Sequence, residues 1–425
     1  MNVYFDTIGC RLNQSEIEIM AAQFRRAGHI VVEDAGKADL VVVNTCAVTS
    51  AAASDSRQKI RQAAHKGASQ IIATGCWATL EPQAALNLPG VENVVLNENK
   101  DNLVSDFLHI TPLIFDLEPL AREPLPGDHL RTRAFLKVQD GCDNFCTFCI
   151  TKVARGKGVS RPLAEVMVDV KNALDGGVKE IVLTGVHLGS WGKDIDHTLH
   201  LRDLIEKILK ETNVQRLRLS SLEPWDLGES FFSLWEDSRL CPHLHLPLQS
   251  GSGTILKRMA RKTTPEKYMR IVLDARAVVP YMAITTDMIV GFPGETEAQF
   301  EESMEFVRQV NFAGGHIFPF SARPGTAAAT YEHQIPKAIR KRRSAAMRAV
   351  FAEMTHQYQS AYLGKTAEVL WESGEQMPDG RWLMKGLTGN YLRIAIKSPF
   401  NLANQITKTK LTAFSEHGLN GEIAR

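Results

Sequence analysis

Short, nearly uninterrupted apolar runs recur along the chain with amphipathic stretches between them, and this alternation constrains the fold more than any other feature. Val3-Tyr4-Phe5 precedes a helical stretch from Asn13 to Ala27, Leu40-Val41-Val42-Val43 precedes one from Ala51 to His65, and Ile71-Ile72-Ala73 follows. Strands that alternate with helices run parallel, and strands that are apolar throughout are covered on both faces. Residues 1–110 therefore read as a small doubly wound α/β domain. The pattern resumes at Ala134, with strand candidates at Ala134–Gln139, Glu180–Thr184, Arg216–Ser220, His243–Pro247, Ala283–Val290 and Gly314–Phe318. Helical stretches such as Leu163–Leu174 and Thr296–Gln309 fall between them. Six successive βα units predict an incomplete (β/α)6 barrel over 134–361, with its chemistry at the carboxyl ends of the strands.

Between these parts, 111–133 carries Pro112, Pro119, Pro124, Pro126 and Gly127 with little periodicity and reads as a linker. After Pro336 a basic helical run, Lys337–Tyr362, leads into short strands broken by Gly and Pro, so 362–425 predicts a small β-barrel. A chain of 425 residues has room for these separate cores. Its 49 Lys and Arg against 48 Asp and Glu give a net charge of +1, which selects no partner. Locally the balance differs: Lys337 to Lys410 holds 13 basic against 5 acidic residues, a local +8. That cluster is either a solvated helix face or a contact for a phosphate-bearing partner, and the small barrel behind it favours the second. The start, Met1 to Asp6, shows no basic-then-apolar leader, and no run of about 18 uncharged apolar residues occurs. The expectation is a cytoplasmic protein with no membrane partner.

Seven cysteines, an odd number, point to metal ligation or catalysis, because a reducing cytosol disfavours structural disulfides. Cys142-Asp143-Asn144-Phe145-Cys146-Thr147-Phe148-Cys149 follows the first strand of the central part. Three thiolates on one loop at these separations reach three corners of an iron–sulfur cube and leave the fourth iron open, whereas a closed zinc site needs a fourth Cys or His. Cys10, Cys46 and Cys76 each lie just after a strand of the first domain. Carboxyl ends of parallel strands share one edge, so these three either meet there or pack singly as small hydrophobes. Cys241 stands alone and reads as packing. His243 and His245 follow strand alternation, and Met259 and Met269 fit helix faces; none of these needs a metal or cofactor.

The order of these parts resembles the methylthiotransferase family of radical S-adenosylmethionine enzymes over essentially the whole chain. The resemblance rests on Gly9-Cys10-Arg11-Leu12-Asn13-Gln14, Asn44 to Thr49, Thr74-Gly75-Cys76, Asp140 to Ile150, Arg155-Gly156, Ser220 to Pro224, His245 to Ser252 and Phe318 to Thr326. It implies a radical 4Fe-4S cluster on Cys142, Cys146 and Cys149 and an auxiliary 4Fe-4S cluster on Cys10, Cys46 and Cys76. It further implies a radical-SAM barrel and an RNA-binding barrel of the TRAM type at the end of the chain. S-adenosylmethionine would have two roles, methylating cluster-held sulfur and yielding the radical that takes hydrogen from adenine C2. The family also implies that Phe148 packs on the nucleoside, Gly185 approaches the methionine moiety, and Glu223 and Gln249 make polar contacts; no general base is assigned. Asn13-Gln14, Ala47-Val48-Thr49 and Ser56-Arg57-Gln58 with Arg61 resemble the branch acting on N6-threonylcarbamoyladenosine beside the tRNA anticodon. The implied partners are a tRNA anticodon stem-loop, a flavodoxin-type reductant and a sulfur donor. The competing readings are the same chemistry on isopentenyladenosine tRNA or on a ribosomal protein aspartate, and a non-enzymatic iron–sulfur RNA-binding sensor. Where the family often has Pro and an aromatic residue after the last cysteine, this chain has Lys152 and Val153.

Overall fold

The computed structural model describes residues 1–111, 125 and 132–424. The linker expected over 111–133 falls almost wholly outside the described residues. The first part runs β1 (Asn2–Thr7), α1 (Arg11–Arg26), β2 (Ile30–Val31), β3 (Leu40–Thr45), α2 (Ser50–His65), β4 (Gln70–Gly75), α3 (Cys76–Leu80), α4 (Pro82–Leu86), β5 (Val91–Val95) and α5 (Leu103–Leu108). Its strands form one all-parallel sheet in the order β2-β1-β3-β4-β5. Every residue of β3 is buried. Val41 and Val43 pack on one face with Ile60, Ile71 and Trp77, while Leu40 and Val42 pack on the other with Phe5, Met20 and Phe24. Helices on both faces thus explain why the strands carry no polar alternation. Thr49 caps α2 by accepting from the Ala52 amide at 3.1 Å.

The central part contains β6 (Arg133–Lys137), β7 (Gln139–Asp140), α6 (Thr151–Arg155), β8 (Val159–Ser160), α7 (Leu163–Asp175), β9 (Glu180–Thr184), α8 (Leu201–Glu211), β10 (Arg216–Leu219), β11 (His243–His245), α9 (Gly253–Arg258), α10 (Pro265–Val278), β12 (Ala283–Val290), α11 (Glu297–Val310), β13 (Gly314–Pro319) and α12 (Lys337–Ser360). Two three-stranded parallel sheets, β10-β9-β6 and β11-β12-β13, are joined by single parallel bridges at Leu217–Leu240 and Ser221–His245. The six strands therefore follow one another in sequence order around an open arc, the incomplete barrel expected. The chain ends in a closed barrel with the order β14-β15-β16-β18-β17, built from β14 (Thr366–Gln376), β15 (Trp382–Thr388), β16 (Arg393–Ser398), β17 (Ile406–Ser415) and β18 (Gly418–Ile423). Closure leaves it without a free sheet edge.

The terminal barrel docks on the amino ends of the central strands through arginines. Arg216 donates to the carbonyls of Leu387 at 3.0 Å and Glu368 at 2.9 Å, and Arg218 donates to those of Gly389 and Thr388. Glu180, fully buried, accepts from Arg218 at 2.7 Å. Much of the basic α12 run is also occupied internally. Arg343 pairs with Glu295 at 2.8 Å and Glu297 at 2.9 Å, Arg342 pairs with Glu297, and Arg340 donates to the Phe320 carbonyl. The helix is thus clamped to the barrel rather than presented whole to a partner. Replacing Arg218 by Leu removes the nearest cation from the buried Glu180 carboxylate and leaves only the longer pairs to Arg133 at 3.7 Å and Arg216 at 4.0 Å. Such a loss costs about 3–5 kcal/mol, to be read as a lowered urea midpoint.

Candidate functional site

The loop from Gly141 to Ile150 leaves the central arc at the carboxyl end of β6. Gly141 has φ +64°, and a Cβ there would lie 1.7 Å from the Lys157 carbonyl oxygen, so only glycine makes this turn. The Gln139 side chain fixes the loop's base, donating to the Asp140 and Gly141 carbonyls at 2.7 and 2.9 Å and accepting from the His187 amide at 2.7 Å. Thr147 anchors the far side through the carbonyls of Met259 and Arg258. Cys142, Cys146 and Cys149 then line one cavity of about 300 Å³, together with Phe148, Glu223 and Gln249. Gly185 is not on that wall; it presses against Gln139 beside Val186, which is. Arg261 orders the polar side of the cavity. It grips Glu223 with two bonds of 3.0 and 2.7 Å, donates to the Pro247 carbonyl and lies 3.7 Å from Cys146 Sγ. On the opposite side Asn144 contacts His187, whose Nε2 is 2.6 Å from Asp226. Burial works against a charged imidazole, but Asp226 and the Cys142 thiol outweigh it and push His187 up to about 9.

Cys10, Cys46 and Cys76 follow β1, β3 and β4, three adjacent strands in register (Thr7 beside Asn44, Thr45 beside Gly75), so all three reach the same sheet edge. Cys46 and Cys76 are buried there and Cys10 is exposed. Gly9, at φ +105°, packs so closely that a Cβ would sit 2.7 Å from Cys46 Sγ. Asn13 Oδ1 lies 3.6 Å from Cys10 Sγ, and Asn97 Nδ2 lies 3.7 Å from Cys76 Sγ. Burial pushes the Cys46 and Cys146 thiols up to about 11. Iron ligation needs thiolates, so loading either set releases protons. Among the described residues, the group of three His, Cys, Asp or Glu ligand atoms gathered within 4.8 Å of one another is His245, Asp287 and His316, not either thiol set.

Arg155, at the end of α6, joins the two edges. Its guanidinium donates to Glu16 at 2.8 Å, to Asp140 at 2.9 Å and to Asn13 Oδ1 at 2.7 Å. Lys100 reaches Glu16 at 2.8 Å from the other side, and Asn44 donates to the same carboxylate at 2.9 Å. The Asn97 amide closes the junction on the Ala154 carbonyl at 2.7 Å.

Comparison with known proteins agrees with this architecture. Residues 136–307 match the radical SAM superfamily, and residues 2–97 match the uncharacterized protein family UPF0004. The chain is 37% identical to the threonylcarbamoyladenosine tRNA methylthiotransferase MtaB of Thermotoga maritima over 98% of this chain and 96% of that one. The corresponding Bacillus subtilis protein is 34% identical over 96% and 93%. The chain belongs to the radical S-adenosylmethionine methylthiotransferase family. A tRNA-2-methylthio-N(6)-dimethylallyladenosine synthase of Cereibacter sphaeroides is 32% identical over 99% and 98%. In fold, the methylthiotransferase is similar to the radical S-adenosylmethionine methyltransferase TsrM from Kitasatospora setae, with a TM-score of 0.59, 14% identity, and coverage of 77% and 75%.

Several pairings that build the methylthiotransferase's site carry no local sequence signal. Arg261 and its Glu223 partner, and the Glu16–Lys100–Arg155 set, meet only through the tertiary fold. Glu223 and Arg155 were visible within motifs, but no spacing links them to their partners Arg261, Glu16 and Lys100. The glycine before the first cysteine was visible as part of a motif, and its reason is now steric. Gly9→Ala is therefore expected to displace Cys46. Iron bound after anaerobic reconstitution should fall by about half while the Cys142 set keeps its share.

Glu16 gives the junction a pH signature. Burial opposes its carboxylate charge, but Arg155 and Lys100 outweigh that and hold it well below its ordinary value of 4.5. A depressed carboxyl contributes stability that is complete above the unfolded value and is lost as pH falls through the folded one. Stability should accordingly decline below about pH 4.5. Glu16→Gln should flatten that decline and lower stability at neutral pH by about 3–5 kcal/mol, measured by urea unfolding across pH.

Proposed function

We propose that this enzyme adds a methylthio group to C2 of N6-threonylcarbamoyladenosine next to the anticodon of tRNA. The observation that carries the reading is the facing of two separate three-thiol edges across the Arg155 junction, in a chain collinear with relatives that bear that name. Enzymes of this family use S-adenosylmethionine and two 4Fe-4S clusters. Cys142, Cys146 and Cys149 would hold the radical cluster, and Cys10, Cys46 and Cys76 the auxiliary one. When bound, these groups supply radical cleavage of S-adenosylmethionine and a sulfur carrier, which removal of a scarcely acidic aromatic hydrogen requires. The protein's own contribution is placement. Phe148 offers an aromatic wall, Glu223 and Gln249 offer polar contacts to S-adenosylmethionine, Gly185 keeps the turn beside Val186 compact, and Arg261 holds Glu223 in place. The division of labour follows the parts: 1–110 for the auxiliary cluster, 134–361 for the radical core, and 362–425 for RNA. A flavodoxin-type reductant and a separate sulfur donor complete the reaction in the cytoplasm. No helix among the described residues is long and apolar enough to cross a membrane.

The decisive test is mass spectrometry of tRNA nucleosides from a deletion strain. Loss of 2-methylthio-N6-threonylcarbamoyladenosine and accumulation of its unthiolated precursor are expected; loss of the isopentenyl derivative instead would reassign the substrate.

RNA contact can be located more narrowly than the basic run suggested. With Arg340, Arg342 and Arg343 engaged by other groups of the chain, Lys385, Arg393 and Lys397 remain exposed on β15 and β16, and among the described residues none of the three forms a close ion pair. Phe400 stands 71% exposed just beyond β16. Converting the three cations to Ala should weaken binding of the anticodon stem-loop. It should also flatten the log Kd against log salt slope by about two to three. An unchanged slope in a filter-binding titration would move the RNA face elsewhere.

A further inference from the structure

The relatives just compared divide by the group on adenine N6. A threonylcarbamoyl group, joined to N6 through its carbamoyl carbon, ends in the free carboxylate of threonine. A dimethylallyl group is apolar and neutral. A cation at the cavity that is not already neutralised favours the first over the second. Two cationic side chains line the cavity beside the Cys142 loop, Lys152 and Arg261. Arg261 is committed, with both terminal nitrogens on Glu223, one on the Pro247 carbonyl, and its guanidinium stacked 4.5 Å over Trp225. Lys152 differs. Its ammonium sits 3.6 Å from the centroid of the Phe145 ring, and among the described residues it has no carboxylate partner.

An aromatic ring is an unusual and informative holder for such a group. It fixes the ammonium by its quadrupole without cancelling the charge, whereas an acidic neighbour would leave little field for a ligand. Phe145 is itself 74% exposed and lines the cavity, so the ring and the ammonium it faces stand where a ligand can reach them. We propose that Lys152, positioned by Phe145, pairs with the carboxylate of the N6 substituent and thereby selects the threonylcarbamoyl nucleoside. This rests on the tRNA reading given above and extends it to a residue. Lys152 binds substrate; Phe145 is a positioning residue. The same ammonium would suit a backbone phosphate, and the experiment separates the two anions.

Anticodon stem-loops carrying N6-threonylcarbamoyladenosine, or its threonyl methyl ester, are given to the reconstituted enzyme and to its Lys152→Met, Lys152→Arg and Phe145→Leu variants. For the unaltered enzyme, kcat/KM for the acid should exceed that for the ester by about ten- to a hundredfold, the range for a hydrogen bond to a charged group. Lys152→Met should bring the ratio near one, Lys152→Arg should retain most of it, and Phe145→Leu should fall between. Equal rates of the unaltered enzyme on acid and ester overturn the proposal without any variant. So does a Lys152→Met enzyme that slows on both substrates alike, the result expected if the ammonium meets a phosphate. If the unaltered enzyme thiolates an isopentenyladenosine stem-loop and ignores both threonylcarbamoyl forms, the substrate reading itself has failed and this assignment falls with it.

Discussion

A guanidinium taken out of water has to meet compensating charge, and in this protein the one at Arg155 decides how two separately folded parts face each other. Arg155 lies six residues beyond Cys149, and its carboxylate partner Glu16 lies six residues beyond Cys10. Each end of the ion pair is therefore rigidly connected to one thiol set. Asp140, from the start of the cysteine loop, accepts from the same guanidinium, so one side chain ties both ends of that loop to the first sheet. Burial opposes the charge of Arg155, yet Glu16 and the thiol of Cys76 raise its pKa well above the usual arginine value. Buried ion pairs add little net stability against an apolar alternative, but they tolerate few geometries. The contribution of this one is the angle between two edges. A second contact guards it across the cavity, where Ser50 at the start of α2 lies 2.9 Å from Ser321 and accepts from Arg323.

The opposite end of the central arc is closed by a different device. Tyr391, on the turn after β15, adopts φ +70° and stacks on His243 with centroids 4.1 Å apart. Its hydroxyl accepts from Arg11 at 2.7 Å, one residue after Cys10, and Arg218 lies over its ring. First domain, arc and terminal barrel thus converge on one tyrosine. An incomplete barrel leaves polar interior residues such as Glu180 and Arg218 without a covering layer. The turn of the terminal barrel supplies that layer, with its carbonyls facing the arginines. Chemistry at the carboxyl ends and closure at the amino ends follow from the same parallel topology.

What the sequence revealed follows from the reach of the forces involved. Strand and helix order was legible because burial on both faces of β3 leaves an unbroken apolar run, and parallel pairing then puts Cys10, Cys46 and Cys76 at one edge without further information. The interlocking charges were not legible, since Glu16 and Arg155 are 139 residues apart and no periodicity links them. The basic run shows a different limit. Counting charges marked Lys337 to Lys410 as favouring a phosphate-bearing partner, and within that run Glu295 and Glu297, on the neighbouring turn and helix, take up Arg342 and Arg343. Charge composition reports what a segment carries; only packing reports how much of it is left for a partner. Gly185, which the resemblance sets near the methionine moiety, abuts Gln139, and its neighbour Val186 lines the cavity.

The electrostatics of the two thiol edges have one design in common. Burial makes Cys46 and Cys146 reluctant acids, so the folded protein favours neutral thiols at neutral pH unless a metal displaces the protons. Each edge nevertheless has a fixed guanidinium within reach: Arg155 lowers the cost of a thiolate at Cys46, and Arg261 lowers it at Cys146. Both arginines are themselves held by carboxylates, Glu16 and Glu223, and Arg261 at the same time donates to the Cys146 sulfur. The arrangement is thus carboxylate, guanidinium, thiol in that order at both edges. A positive group held in the middle can stabilise negative charge on sulfur without being neutralised by it. That order explains why the acidic partners matter to thiol chemistry they never touch, and why Lys152, with a ring in place of an acid, is the cavity-lining cation left for a ligand.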